Sequence, residues 1–452
     1  MSIFAGLRRD QREAIGLLQV GTFLEYFDLM LYVHMAVLLN DLFFPATDPH
    51  TAALIGAFAF CSTYVLRPFG ALLFGYIGDK IGRKTTVIIT TTSMAISCVV
   101  MANLPTYAQI GISAAWIVTI CRIMQGLSSM GEIIGATIYV MEITKPPLRY
   151  PAVALIGCTS RVGTVVALIV ASLVTSHGLN WRIAFWIGAT IALVGSVART
   201  RLRETPEFSD MKRRMAKAIE DAGEAGLGKA AALLKNSNSI WKEKIGKKTV
   251  TAFFVTECAF AVCFYFTFMH CGLILKNTFH YTAEQIIHQN LVMSIFQMVS
   301  YFLFTFMAFK ICPLKIVRLR AWAFVPFVIL FPFVMENVSS TTFFILQAFS
   351  AFFVLTGTPA VAVFMEHFPV FGRFTYVSTI YAGSRAIVYV ITSFGLVYLT
   401  EYLGHWGMWI ILAPTTVGFI WAVKHFEKLR EGLDLNTAYE PQSDRTRVIE
   451  AV

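Results

Sequence analysis

The sequence is poor in charged residues, and this shortage narrows its class at once. Only 14% of the 452 residues are Asp, Glu, Lys or Arg, whereas soluble globular proteins contain about 25%. Hydrophobic residues make up 56% of the chain, and the mean hydropathy is +0.65. This composition excludes a cytosolic enzyme, a nucleic-acid-binding protein and a disordered chain. We therefore interpret the chain as a polytopic membrane protein.

The sequence also lacks the patterns on which disulfides, metal sites and cofactor sites depend. Its eight cysteines form no CxxC pair, and none lies at ligand spacing from a histidine. It contains no nucleophile–base pair and no Gly-rich phosphate loop of the usual spacing. We expect no metal, no cofactor, no nucleic-acid partner and no enzymatic activity, and we interpret the cysteines as small packing residues.

Long apolar runs, by contrast, are abundant. A bilayer core of roughly 30 Å needs about 20 apolar residues per helix. Applied along the chain, this length predicts twelve transmembrane helices and an all-α membrane protein of two six-helix bundles. The predicted spans are 16–39, 51–76, 85–103, 107–134, 150–176, 182–200, 249–275, 285–309, 319–335, 341–365, 375–399 and 404–424.

A charged, Ala-rich segment between the sixth and seventh spans divides the chain. We predict an N-terminal bundle over 1–200, a cytoplasmic linker over 201–248, a C-terminal bundle over 249–424 and a cytoplasmic tail over 425–452.

Basic residues are concentrated on one side of these spans. If the N-terminus is cytoplasmic, the cytoplasmic segments contain 31 of the 37 Lys and Arg residues, those of 310–320 included. The opposite side has only Arg182 and Lys276. The positive-inside rule then predicts that both termini are cytoplasmic. Four arginines fall within spans: Arg67, Arg122, Arg161 and Arg385.

The first span contains acidic residues on one helix face. Glu25, Asp28 and Tyr32 follow Gly21 at helical spacing. Two carboxylates one turn apart in a low dielectric cannot both ionise cheaply, which is the property of a proton carrier. The alternative is a pair of local hydrogen-bonding groups near a wetted helix end.

The fourth span contains a polar stripe of Arg122, Gln125, Ser129 and Glu132. Arg122 stays protonated and therefore needs an anionic partner, which could be a carboxylate of the first span, Glu132, or a substrate. The alternative is a structural ion pair that locks two helices together. A buried ion pair adds little stability, so a switch or binding role is favoured.

Lone charges in the fifth, seventh and eleventh spans complete the candidate cavity. Arg161, Glu257 and Arg385 each lie in an apolar run and should therefore face a cavity or another charge. Other polar candidates of the same region are Tyr265, His270 and Tyr381.

The turn between the second and third spans has a distinctive pattern. Residues 75–84 read G-Y-I-G-D-K-I-G-R-K, with Gly75, Asp79, Gly82 and Arg83 at its fixed positions. It lies between two membrane spans, so we interpret it as a tight cytoplasmic turn in which Asp79 can pair with a neighbouring cation or helix end.

This turn resembles the signature loop of the major facilitator superfamily, and the chain is most similar to the metabolite:proton symporter family of that superfamily. Members of the family carry osmolytes such as proline and betaine, and organic acids such as α-ketoglutarate, citrate and shikimate. The matching motifs are G-T-F-L-E-Y-F-D (21–28), F-F-P-A-T-D-P (43–49), L-R-P-F-G (66–70), R-I-M-Q-G-L-S-S-M-G-E (122–132), W-R-I-A-F (181–185), R-E-T-P-E-F (203–208) and E-H-F-P-x-x-x-R (366–373).

The resemblance implies two bundles that rock around a central cavity, and uptake driven by the proton gradient. It places Glu25 and Asp28 on the acidic pair of the first helix and Arg122 on the basic position of the fourth. It also makes Asp79 and Arg83 a cytoplasmic gate. The chain departs from the family in its degenerate 308–320 loop and in the charges at Arg161 and Glu257.

From these features we expect a monomeric transporter in a bacterial inner membrane that imports a small polar metabolite by proton symport. The three cationic side chains in the spans favour a carboxylate-bearing substrate, which could be an organic acid, an amino acid or a betaine-like osmolyte. The alternatives are a proton-independent exchanger or uniporter of the same fold, or a transport-inactive sensor or scaffold.

Overall fold

The structure, a computed structural model, describes residues 9–44, 63–81, 83–176, 180–199, 245–336, 338–368 and 372–431. Gly82, most of the predicted linker and the predicted tail beyond Glu431 lie outside these residues. The described residues form an all-helical membrane fold. In lipid, a backbone must satisfy its polar groups within its own segment, and an α-helix does so.

The described residues of the N-terminal half form six main helices. They are α1 (Arg9–Phe43), α2 (Arg67–Lys80), α3 (Arg83–Asn103), α4 (Ile112–Ile143), α5 (Arg149–Ser176) and α6 (Arg182–Arg199). A short helix, Tyr107–Ile110, precedes α4.

The described residues of the C-terminal half form six further helices, two of which consist of more than one helical segment. They are α7 (Lys247–Phe264, continued by Tyr265–His270 and Cys271–Asn277), α8 (Ala283–Met307), α9 (Pro313–Met335), α10 (Ser340–Phe352 and Val361–Met365), α11 (Arg373–Leu403) and α12 (Trp409–Glu431). Within the described ranges, eight helices are long and apolar enough to cross a membrane.

The twelve-helix fold class is confirmed. The observed bounds of α3, α5 and α6 lie within two residues of the predicted spans, whereas α1 and α9 begin seven and six residues before theirs. Residues 51–62 of the second predicted span lie outside the described residues, and α2 begins at Arg67. Two places differ from uninterrupted helices. α7 contains a π-helical turn over Tyr265–His270. α10 stops at Phe352, is non-helical over 354–357 and becomes helical again at Val361. The sequence T-G-T-P at 356–359 accounts for this break, because glycine and proline are the weakest helix formers.

The two halves pack against each other mainly through two helix pairs, α5 with α8 and α2 with α11. Smaller contacts join α5 with Val361–Met365 of α10, and α4 with α11. Within the N-terminal half, α1 lies against α5. A Cβ added at Gly163 of α5 would lie 2.5 Å from the Phe23 carbonyl of α1. This close approach of two backbones is typical of small residues at membrane helix interfaces.

Candidate functional site

The main cavity lies between the two halves. Its volume is about 90 Å³. Helices α1, α4 and α5 line one side, and α7, α8, α10 and α11 line the other. Its polar lining comprises Tyr26, Thr137, Ser160, Arg161, Glu257, Tyr301, Thr356, Thr358, Tyr381 and Arg385.

Arg161 places a buried positive charge in this cavity. It is 4% exposed, and its Nη1 donates a hydrogen bond to Gln297 Oε1 at 3.0 Å. The guanidinium lies over the rings of Tyr26, Phe260 and Tyr301, with 5.1 to 5.4 Å between its carbon and the ring centroids. No carboxylate in the described ranges pairs with it within 4 Å. Among the described residues, the direct contacts of the Arg161 guanidinium are therefore polar groups and aromatic faces rather than a carboxylate.

Arg385 and Glu257, in contrast, neutralise each other. Arg385 Nη1 lies 2.9 Å from Glu257 Oε2, and both side chains are buried. The Arg385 guanidinium carbon also lies 3.4 Å from the centroid of the Tyr381 ring. The structure thus brings together four sequence-predicted cavity residues: Arg161, Glu257, Tyr381 and Arg385.

A smaller cavity of about 20 Å³ adjoins the first. Arg161 and Arg385 line both cavities, and Glu25 and Arg67 line the smaller one. The acidic residue of α1 therefore faces the region that contains Arg161.

The other predicted proton and substrate residues form a separate group between α1, α3 and α4. Cys98 donates a hydrogen bond from Sγ to Asp28 Oδ1 at 2.9 Å. Arg122 donates from Nη1 to Gln125 Oε1 at 3.1 Å and lies 4.0 Å from the Tyr32 ring centroid. Within the residues described, Arg122 forms no ion pair. We call Tyr32, Asp28, Cys98, Arg122 and Gln125 the α1–α4 cluster.

Three further predicted residues, outside the α1–α4 cluster, also lie away from both cavities. Ser129 donates its hydroxyl to the Gly126 carbonyl of its own helix. Tyr265 is buried in the π-helical turn of α7, and the His270 ring stacks on Phe266. None of the three is among the residues that line the two cavities. The side chain of Glu132 lies outside the described residues.

The predicted gate loop lies where the halves meet at one membrane face. A Cβ added at Gly75 of α2 would lie 3.1 Å from Thr375 Oγ1 of α11. Arg149, at the start of α5, pairs with Glu366 of the other half at 2.9 Å. The side chains of Asp79 and Arg83 lie outside the described residues, as does Gly82. We call the face with these contacts the basic face, because the loops after α2, α4, α8 and α10 reach it.

The structure corrects one assignment and adds several residues. From the sequence, Arg320 is predicted among the cytoplasmic loop residues 310–320. In the structure it lies in α9, is 1% exposed and donates a hydrogen bond to the Thr358 carbonyl at the break in α10. Its position two residues inside the predicted span was the available signal. Sequence reasoning also missed Tyr26, Gln297, Tyr301, Thr356 and Thr358, because only packing distinguishes them from the many similar residues nearby.

Comparisons with known proteins agree with this architecture. The family model of the Major Facilitator Superfamily matches residues 18–333. The proline/betaine transporter of Salmonella typhimurium is 33% identical over 204 residues, which cover 44% of this chain and 41% of the relative. The inner membrane metabolite transport protein YhjE of Escherichia coli is 34% identical over 201 residues, 42% of this chain and 45% of the relative. The matched region thus spans less than half of each relative.

Solved structures share the fold over nearly the whole chain. The proton:xylose symporter XylE, bound to 6-bromo-6-deoxy-D-glucose, superposes with a TM-score of 0.75 over 92% of this chain and 95% of its own, at 15% identity. The E. coli fucose:proton symporter FucP superposes with a TM-score of 0.65 over 92% of this chain and 99% of its own, at 14% identity. Identities this low show the fold alone. With the family model matched over most of its length, the chain belongs to the Major Facilitator Superfamily, and its relatives are the proline/betaine and metabolite transporters that its motifs resemble.

Proposed function

We propose that this protein is a secondary active transporter of a bacterial inner membrane that imports a small carboxylate-bearing metabolite together with protons. The observation that carries the proposal is Arg161, a buried guanidinium in a cavity between the two halves, without a carboxylate partner among the described residues. A buried charge costs several kcal/mol unless it is compensated. A substrate carboxylate supplies that compensation and fits the planar donor fork of arginine.

The position of the cavity supports transport by alternating access. Its walls come from both halves, so a rocking motion of one half against the other changes its opening. At the basic face the halves are held together by the Arg149–Glu366 pair and by close packing of Gly75 on Thr375. Separation of these contacts would open the cavity toward that face, which we place in the cytoplasm.

Proton coupling is assigned to the acidic residues of α1. Glu25 lines the smaller cavity, and Asp28 interacts electrostatically with Arg122. A proton taken up by either carboxyl group from the outer side would change the charge next to the arginines and so link proton and substrate binding. The proton gradient would be the energy source, and no cofactor is needed.

Relatives and structural neighbours are consistent with this class. The relatives include proline/betaine and metabolite transporters, and the structural neighbours include proton symporters. We extend solute transport from them to this chain as part of the proposal.

The test uses purified protein in proteoliposomes that contain a pH-sensitive dye, under an inward proton gradient. α-Ketoglutarate, citrate, shikimate, proline, betaine and an amino-acid mixture are added in turn. Acidification that depends on one of them, beyond the empty-liposome control, supports proton symport. Uptake of a radiolabelled compound without acidification would identify an exchanger or uniporter. Absence of both across the panel would contradict the proposal.

A further inference from the structure

The break in α10 is stabilised by donors from two neighbouring helices. Carbonyl groups at an interrupted transmembrane helix need new hydrogen-bond donors, since lipid offers none. Ser300 of α8 donates its hydroxyl to the Phe352 carbonyl at 2.5 Å, and Arg320 of α9 donates from Nη1 to the Thr358 carbonyl at 3.2 Å. The non-helical backbone between these two carbonyls includes Thr356 and Gly357, which line the main cavity.

Arg320 carries a charge that donation of a hydrogen bond to the Thr358 carbonyl does not require. It is 1% exposed, and no carboxylate pairs with it in the part of the chain that the structure describes. Its guanidinium carbon lies 4.6 Å from the Phe304 ring centroid. A neutral amide could donate to the Thr358 carbonyl without the cost of a buried charge. The charge itself therefore needs an explanation.

Tyr301 connects Arg320 with the cavity. Its ring centroid lies 5.8 Å from the Arg320 guanidinium carbon and 5.3 Å from that of Arg161. Its hydroxyl lies 3.1 Å from Thr356 Oγ1 at the break. Two buried guanidinium groups thus flank one tyrosine ring at the cavity wall, and a third, Arg385, is neutralised by Glu257.

We propose that Arg320 is a positioning residue that makes the α10 break the seat of the substrate carboxylate. It holds the break in the shape that turns Thr356 and Thr358 toward the cavity, and it adds positive charge behind them. Glu25 and Arg67 in the adjoining cavity contribute opposite charges, so the excess from Arg161 and Arg320 remains. The transporter should therefore prefer solutes with a net negative charge over zwitterions. This inference rests on the proposed function for the identity of the cavity as a solute site.

The first test does not depend on transport. Thr358→Cys provides a thiol at the break, and labelling by an anionic and a cationic methanethiosulfonate reagent is followed by mass spectrometry of the peptide. We expect the anionic reagent to react roughly tenfold faster, because a positive low-dielectric cavity concentrates anions. Arg320→Gln keeps a donor for the Thr358 carbonyl and removes the charge. The preference for the anionic reagent over the cationic one should therefore fall at least about threefold, because one uncompensated charge has been lost.

Arg318→Gln is the matched control. Arg318 lies two residues earlier on α9, is half-exposed and pairs with Glu427 at 3.2 Å, remote from the break. This substitution should leave the labelling preference unchanged. Equal labelling by both reagents in the Thr358→Cys protein, or an unchanged preference in Arg320→Gln, would overturn the inference.

The second test measures uptake of the compound identified by the proteoliposome panel. Arg320→Gln should raise KM about tenfold with Vmax within twofold, as expected when one charge-assisted contact to the bound substrate is weakened. Arg320→Lys, which keeps the charge, should restore most of the affinity. If Arg320→Gln fails to reach the membrane, Tyr301→Phe serves as the second variant. It removes the hydroxyl that contacts Thr356 Oγ1 and should raise KM two- to fivefold, which is about the value of one neutral hydrogen bond.

The outcomes separate the two proposals. Anion-selective labelling that depends on Arg320, in a protein that transports none of the panel, would support the inference about the cavity and contradict the proposed function. Transport with a KM that none of these substitutions changes would support the proposed function and contradict the inference about Arg320.

Discussion

Two buried polar groups in this molecule have similar compositions and different positions. The α1–α4 cluster belongs to the N-terminal half alone, and its arginine is held by an amide and a tyrosine ring of the same half. The main cavity lies between the halves, and its arginines come from α5 and α11. A charge inside one half moves with that half. A charge between the halves changes its surroundings when they separate. This contrast supports the proposal that the cavity binds the substrate, with Asp28 of the cluster and Glu25 of the smaller cavity as the candidate proton carriers.

Three buried arginines show the same contrast. Arg122 donates to Gln125 within its own helix. Arg385 has the carboxylate of Glu257 at 2.9 Å. Arg161 lines the cavity with an amide and three rings around it and no carboxylate pair among the residues described. Of the three, Arg161 is therefore the best placed to bind an anion from outside the protein.

The largest expected effect follows from removal of that charge. Arg161→Gln should lower kcat/KM for the transported carboxylate at least 100-fold, because a charge-assisted bidentate contact is worth about 3 kcal/mol. Arg161→Lys should recover only part of the lost kcat/KM, because lysine lacks the planar donor fork of arginine. Radiolabelled uptake measures kcat/KM in both variants, with Arg318→Gln as the control. Unchanged uptake in Arg161→Gln would remove the cavity from substrate binding.

A smaller but more specific effect is expected in the acidic residues of α1. Asp28→Asn and Glu25→Gln should each be tested for gradient-driven uptake and for substrate exchange. The coupling residue should lose gradient-driven accumulation more than roughly tenfold and keep exchange, because a neutral amide carries no proton across. Full activity of both variants in both assays would contradict the assignment of proton storage to α1.

An intermediate effect is expected when the internal ion pair is broken. Glu257→Gln leaves Arg385 without its carboxylate, so the cavity gains positive charge. We expect a KM for anionic substrates about three- to tenfold lower, with a reduced Vmax because release slows. The double variant Glu257→Gln/Arg385→Gln restores the charge balance and should return KM toward the wild-type value. An identical KM in all three proteins would show that this pair only stabilises the bundle.

The smallest effect is expected at the basic face. Glu366→Gln removes the partner of Arg149, an inter-half pair that is partly exposed. Such pairs contribute about 0 to 1 kcal/mol, so closure at this face should weaken at most fivefold. Cys158, which contacts Thr305 across the α5–α8 interface, is a native reporter whose labelling should accelerate accordingly. Glu13→Gln removes an exposed pair within α1 and serves as the control. Equal labelling in both variants would place closure elsewhere.

Much of the fold could be predicted from local sequence. The predicted and observed bounds of α3, α5 and α6 differ by two residues or fewer. The family of the chain was also predictable, because the motif at 75–84 and those around Glu25 and Arg122 are contiguous. The site was less accessible: lone charges indicated Arg161, Glu257 and Arg385, but their grouping in one cavity depends on helices far apart in the chain.

The sequence by itself determined the number, length and polarity of the helices, because each transmembrane segment must bury apolar side chains in lipid and satisfy its own backbone. Only the tertiary structure decided which buried charges are compensated. Glu257 and Arg385 are 128 positions apart and form a pair, whereas Arg161 and Arg320 lie among aromatic rings. It also decided that Ser300 and Arg320 supply the donors at the break in α10. The physical reason is that charge compensation depends on distances of a few Å between helices, and no periodicity within a single helix encodes those distances.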